Sequence, residues 1–200
     1  MAKKKIGAIT MLWPHPTVLV GAMTDDKPDF AAVAWTGVAC SNPPSLAIAL
    51  QPHRYSLKGI YQNRTFSVNI PSQSQVKEAD YCGLVSGKDT DKVKDCKFKV
   101  FYGNLKTAPM IDQCPINMEL EVSNILVLGS HHLVVGKINE VYVSEDCMVN
   151  DRPDMDKVKP FAFGPGKYYE IGKPFADAFK VGWEINPKMK KNWKPPVIKK

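Results

Sequence analysis

Apolar positions along the chain fall into short runs, most of them alternating with polar ones. Residues 17–23, "TVLVGAM", form a β-rich run closed by the polar turn "TDDKPD". "FAAVAWTGVA" (residues 30–39) resumes an extended segment, and the pair reads as a hairpin. "SLAIAL" (residues 45–50) is a third, buried strand. In "YSLKGIYQN", Leu57, Ile60 and Tyr61 recur at helical spacing, so a short helix is expected there. "TFSVNI" alternates, with Phe66, Val68 and Ile70 on one face. "SQSQVKEADYCGLVSG" opens with capping-type Ser and Gln, and Gly83 reads as its stop, which predicts a second helix.

The clearest β region spans residues 116–145. "NMELEVSNILVLG" sets Met118, Leu120 and Val122 against Glu119 and Glu121. "HHLVVGKINEVYV" follows a tight connection. Its apolar phase runs through Val134 and Ile138, then shifts to Val141 and Val143, which is how a bulge shows in sequence. Gly136 marks a bend in the same strand. Short strands, one long bent hairpin and few helices predict a mainly β fold: an antiparallel split β-barrel, Greek-key-like, with a few short helices. The "FGPGKYYEIGKPF" segment is irregular, with three Gly and two Pro. The organisation expected is an N-terminal segment at 1–15, one barrel domain at 16–182 and a mobile basic tail at 183–200.

The length of 200 residues, with 44% hydrophobic and 24% charged, suits one packed domain. The net charge of +7 raises the question of a nucleic-acid partner. Its placement answers no: Lys3, Lys4 and Lys5 and the lysines after Trp183 together outweigh the excess, so the body between is near neutral. Five cysteines, none in a C-x-x-C, argue against a disulfide framework or zinc and for a reducing compartment. The N-terminal apolar run is short, Pro-interrupted and lacks a cleavage pattern, and no stretch is long enough to span a membrane, so a soluble cytoplasmic protein is expected. No G-x-G-x-x-G follows a strand, "GPGK" and "GLVSGK" lack Walker spacing, and the four His are too scattered for a metal site on one helix; His131 and His132 are expected to face opposite sides of a strand.

Two loops remain that suit an anion. His53, Arg54 and Ser56 follow the third strand, and Ser86, Gly87 and Lys88 follow the second predicted helix. Arg offers a bidentate fork, Lys a point charge, Ser a hydroxyl, and Gly lets backbone N–H groups approach an oxyanion. Together they suggest a phosphate held by a barrel.

Five stretches in order resemble the flavin reductase-like, FMN-binding split-barrel family, and within it the flavoredoxin type. They are "SNPPSLAIAL" with "HRYSLKGI", "TFSVNIP", "DYCGLVSGKDTDKVK", "APMIDQCPINMELEV" and "LGSHHLVVGKI", the last similar to a G-D-H-x-x-x-x-G-x-V hairpin. The chain departs from the family pattern at Gln113, Val122 and Val93, and the Asp before the hairpin His is Ser130 or His131. The resemblance implies that the backbone of Trp35, Thr36 and Gly37, with Cys40 and Ser41, lines the isoalloxazine edge of FMN. It implies that His53, Arg54 and Ser56, completed by Ser86, Gly87 and Lys88 with Lys92 as a further candidate, hold the phosphate, and that Asn69 and Ile70 contact the ribityl or ring region. It makes His132 the hairpin His, near the reactive face, and Cys40 and His132 the catalytic candidates; a packing role for Cys40 in the core stays open. It further implies a homodimer and a redox role, with NADH, NADPH or a protein as electron donor, as in an NAD(P)H-dependent flavin or ferric-chelate reductase. A carrier without nicotinamide activity and a non-redox flavin-binding module remain alternatives.

Overall fold

A computed structural model describes residues 1–187. Strand β1 (Val18–Thr24) turns directly into β2 (Lys27–Val33), so the first predicted hairpin is present but tighter than its polar run suggests. Only Asp25 and Asp26 lie outside the strands, at φ 49° and 61°. Two positive φ values in succession match the twist of the flanking strands. Asp25 is also held from outside the turn, by Lys58 Nζ at 2.6 Å and the Tyr55 hydroxyl at 2.8 Å.

The extended segment at residues 30–39 is two strands rather than one. It breaks at Ala34 and Trp35, and β3 (Thr36–Ser41) pairs with β4 (Pro44–Leu50), not with the partner of β2. The Ala49 N–H already donates to the Trp35 carbonyl at 2.8 Å, so the switch of partner begins at the tryptophan. Helix α1 (Tyr55–Asn63) carries the chain from β4 to β5 (Thr65–Ile70). The long hairpin then supplies β6 (Ile116–Leu128) and β7 (His131–Val143).

These strands make one antiparallel sheet in the order β2-β1-β5-β6-β7-β4-β3. Its two edges, β2 and β3, are consecutive in the chain. The sheet therefore curls back on itself and stays open at that seam, a split barrel. Strands β4 and β5 are neighbours in sequence but stand apart in the sheet, a Greek-key-like connection.

The barrel interior holds Val18, Val20, Ala31, Val33, Ile48, Leu50, Phe66, Val68, Leu120 and Val134, with Leu57 and Ile60 of α1 closing one end. The opposite face of β1 and β2 packs Leu19 and Phe30 against Ala79, Cys82, Phe98, Ile111 and Phe161. With both faces covered, β1 reads as a continuous apolar run, not an alternation. The expected irregularities of the long hairpin are real: register shifts fall between Val135 and Gly136 and between Ile138 and Glu140. At Gly136 a Cβ would lie 2.5 Å from the Phe66 ring, so the bend and the close packing need the same residue.

Helix α2 (Val76–Leu84) follows a single 3-10 turn in which the Ser72 N–H donates to Gln75 Oε1 at 3.0 Å. Gly83 is not its stop. The helix runs through Gly83 and ends where Val85 becomes extended. A short helix, α3 (Lys92–Asp95), follows, capped by the Asp91 side chain. The segment read as irregular contains a further hairpin, β8 (Phe161–Gly164) with β9 (Lys167–Glu170), joined by His15–Pro16 as a third strand. Its Gly and Pro mark the turn. Among the described residues no helix is long and apolar enough to cross a membrane. Most of the expected basic tail lies outside the described residues.

Candidate functional site

The first anion-suited loop sits at the start of α1. Arg54 precedes the helix in an extended conformation, without a side-chain cap, so the helix presents its N–H end openly. The second loop leaves the C-terminal end of α2. The Arg54 Nη1 donates to the Gly83 carbonyl at 2.8 Å and ties the two together across 29 residues of sequence. Between them lies a cavity of about 180 Å3 bordered by His53, Arg54, Ser56, Val85, Ser86 and Lys92. No carboxylate lines it. Gly87 and Lys88 border the neighbouring hollow of about 490 Å3, with Asp89 and Asp91; Tyr55 and Lys92 stand between the two spaces.

Beneath the cavity lies a group that the polar-turn reading of "TDDKPD" conceals. Asp29 is 3% exposed. Its Oδ2 accepts from the Ser56 hydroxyl at 2.8 Å, and its Oδ1 stands 3.2 Å from Lys92 Nζ. Lys92 also donates to the Phe30 carbonyl at 2.7 Å. A Cβ on Gly87 would collide with the same carboxylate, at 2.0 Å from Oδ1, so glycine is what lets the second loop close over Asp29. Two expectations are corrected by this. The Ser56 hydroxyl proton is committed to Asp29, and Lys92 is the counter-ion of Asp29. Neither side chain is free to donate to a phosphate without leaving its partner, which leaves Arg54, His53, Ser86 and the backbone as the candidate donors at this cavity.

The expected ring edge is the outermost strand, β3. Trp35, Gly37, Cys40 and Ser41 are exposed and Thr36 is half-buried. The Thr36 hydroxyl donates to the Ala47 carbonyl at 2.9 Å. As β3 has a partner on one side only, its other edge carries unpaired backbone groups. Cys40 is exposed, which rules out a core packing role.

Asn69 and Ile70 lie on β5, away from the β3 edge in the sheet order. Asn69 is fully buried: it donates to the Leu19 carbonyl at 2.9 Å and to Ser67 Oγ at 3.0 Å, and it accepts from the Ile111 N–H at 3.0 Å and Asn117 Nδ2 at 2.8 Å. Three of these four hydrogen bonds tie β5 to other segments, and the fourth, to Ser67, stays within the strand. Ile70 packs against the barrel core. A side chain as buried as that of Asn69 does not fit the expected contact with the ribityl or ring region, whereas Ile70 is half-buried.

The two histidines do face opposite sides of β7. His132 lies on the barrel side, where its Nδ1 meets the Tyr61 hydroxyl of α1 at 2.9 Å. His131 lies on the other side and stacks on Trp35 with ring centroids 4.5 Å apart. The residue beside the expected ring edge is thus His131, and the placement of His132 there is corrected. Counting back from Gly136 supplies the signal, since H-x-x-x-x-G fits His131 and leaves Ser130 in the Asp position.

Comparison with known proteins fits this geometry. The model of the flavin reductase like domain matches residues 11–172. The structure of a flavoredoxin from Methanosarcina acetivorans superposes with a TM-score of 0.89 at 36% identity, covering 92% of this chain and 100% of that one. The flavoredoxin of Desulfovibrio vulgaris gives 0.85 at 36% identity over 90% and 100%. An FMN-binding protein from Thermus thermophilus, at 22% identity and a TM-score of 0.74, shares the fold, covering 88% of this chain and 98% of that one. An uncharacterized protein of Aeropyrum pernix is 28% identical over 137 residues; the match spans 68% of this chain and about half, 52%, of that protein.

Proposed function

The chain belongs to the flavin reductase-like family, and from that premise we propose that it is an FMN-binding redox protein of flavoredoxin type. The observation that carries this is the meeting of His53, Arg54 and Ser86 around one cavity free of carboxylates. Such a cavity, at an open helix N-terminus, suits a phosphate monoester. The exposed edge of β3 suits the other end of FMN, because backbone N–H and C=O groups can pair with the pyrimidine edge of a flavin without introducing titratable charge. When bound, the flavin supplies reversible acceptance of a hydride or of single electrons. The protein's part is to fix the phosphate with Arg54, to offer backbone donors along residues 36–41, and to flank the ring with Trp35 and His131.

Bound FMN would take hydride from NADH or NADPH, or electrons from a protein donor, and would pass them to a further acceptor. Anaerobic mixing separates the two donors: bleaching of the flavin band by a nicotinamide within turnover time marks a reductase, and its absence marks a carrier. The working form is a cytoplasmic homodimer. Leu126, Val127 and Leu128 at the tip of the long hairpin support this, at 51%, 66% and 56% exposure, as apolar surface that a second copy would cover.

The direct test is Arg54→Ala. It should weaken FMN binding by about 1.5–3 kcal/mol if the guanidinium makes a charge-assisted bond to the phosphate. Fluorescence titration with FMN reads this, and an unchanged affinity places the phosphate elsewhere. A protein that takes up no flavin at all removes the redox reading.

A further inference from the structure

The second anion loop runs between α2 and α3, and its two ends are held together at consecutive residues. The Tyr81 hydroxyl donates to Asp95 Oδ2 at 2.6 Å. One position further along in each segment, the Cys82 and Cys96 thiols are hydrogen-bonded to each other. Cys82 is fully buried in the core layer of Leu19 and Phe30, and Cys96 packs against that same layer. Lys92 Nζ adds a third tie, reaching the Cys82 carbonyl at 3.5 Å. All five thiols of the chain are free.

The pair is unequal in access. Cys96 is half-buried and borders a surface hollow of about 510 Å3 with Lys77, Glu78, Tyr81, Asp95 and Lys97. Cys82 lies behind it, without exposed surface. Burial raises both thiols; beyond burial, their contact lowers Cys96 and raises Cys82, so Cys96 ionises first. A reachable thiol backed by a buried one is the arrangement of an attacking and a resolving cysteine. The sequence hides it, since the two stand far outside C-x-x-C spacing and only the fold makes them neighbours.

We propose that Cys82 and Cys96 are a reversible disulfide site, oxidised by a small-molecule disulfide that enters at Cys96. The Cys96 thiolate attacks one sulfur of the incoming disulfide, a mixed disulfide forms, and one thiolate departs. Cys82 gives up its proton and attacks the Cys96 sulfur, and the second thiolate departs. Two protein thiols are oxidised, and the incoming disulfide is reduced to two thiols. The new bond encloses residues 83–95, the stretch that carries Gly83, Ser86, Gly87, Lys88 and Lys92. Oxidation therefore staples one wall of the anion cavity, whichever anion the cavity holds. Because burial holds both thiols up, this reaction is slow beside that of an exposed cysteine.

The test equilibrates Cys40→Ser, which lacks the exposed thiol, with excess oxidised glutathione. Free thiols are counted under denaturing conditions, the protein is mapped by proteolysis and mass spectrometry, and thermal unfolding is followed. Two of the four remaining thiols should be lost without retained glutathione, mapping should join Cys82 to Cys96, and dithiothreitol should restore both. The oxidised form should melt about 5 °C higher, because the bond closes a loop in the unfolded chain. Cys82→Ala in the same background should keep glutathione on Cys96, and its absence there overturns entry at Cys96. Should that variant not fold, the mapping of Cys40→Ser decides alone. Four free thiols after oxidation, a bond between any other pair, or glutathione retained on Cys96 with Cys82 in place overturns the site. An oxidised form that melts no higher than the reduced one overturns the stapling of the loop.

Discussion

Lys92 Nζ stands 3.2 Å from the Asp29 carboxylate, and the two side chains are only 3% and 4% exposed. The pair joins α3 to β2 directly beneath the anion cavity, and through Ser56 it also holds the start of α1. A buried pair of this kind is more consequential when halved than when removed. Lys92→Met should destabilise the fold by about 3–5 kcal/mol, because it strands the Asp29 charge. The double variant Asp29→Asn/Lys92→Met should recover a large part of that loss. Urea unfolding of the two variants checks this, and a double variant no more stable than Lys92→Met alone would contradict it.

Cysteine reactivity separates the ring edge from the rest of the molecule. Cys114 is fully buried and its thiol is pushed up to about 12 by burial. Burial also raises Cys82, Cys96 and Cys147. Cys40 is exposed on β3. A thiolate is the reactive form, so a mild thiol reagent at neutral pH should modify one cysteine rapidly, and Cys40→Ser should abolish that phase. Saturating FMN should slow it. Two or more rapid equivalents, or a rapid phase surviving in Cys40→Ser, would speak against the arrangement.

The Trp35–His131 stack predicts a division of labour between adjacent histidines. His131→Ala should change the emission of Trp35, read as the difference from the same variant carrying Trp35→Phe. His132→Ala should leave it unaltered, since that ring faces Tyr61. Equal effects from both would mean that the two rings share one side of β7.

Tyr168 sets an alkaline limit. Burial, together with its bond to Asp80, pushes its hydroxyl up to about 12. The folded state thus favours the protonated phenol. Its stabilising effect is complete below the ordinary tyrosine range near pH 10 and is lost as pH rises from there through about 12. Phenolate absorbance against pH should show a late step that is missing in Tyr168→Phe. A titration curve identical in the two proteins would show that Tyr168 is not held by Asp80.

Sequence patterns reached far into the fold where local periodicity governs it. Phe66, Val68 and Ile70 share a face because alternation is a property of the strand alone, and the phase shift after Ile138 became a register shift for the same reason. The break at Ala34 and Trp35 left no such trace. Both flanking segments are β-formers, and only the competition for β4 decides where one strand ends and the next begins. The anion loops were legible because Arg, Ser and Gly announce their chemistry by type. Asp29 was hidden in a polar run, and its burial depends on α3 arriving from more than 60 residues away. Asn69 sat in a motif and drew a ligand role, yet its partners at Leu19, Ile111 and Asn117 come from three other segments that no local window contains.

The position of β3 at the open seam has a consequence for how this protein can change. If the ring is met there by peptide groups rather than by side chains, its recognition is written in atoms that every residue but proline possesses. Substitutions along residues 36–41 would then retune the surroundings of the ring, and with them its potential and its choice of reaction partner, while the grip itself persists. Diversification would be cheap on this strand and costly beneath the phosphate, where Asp29, Ser56, Gly87 and Lys92 fit one another as a set.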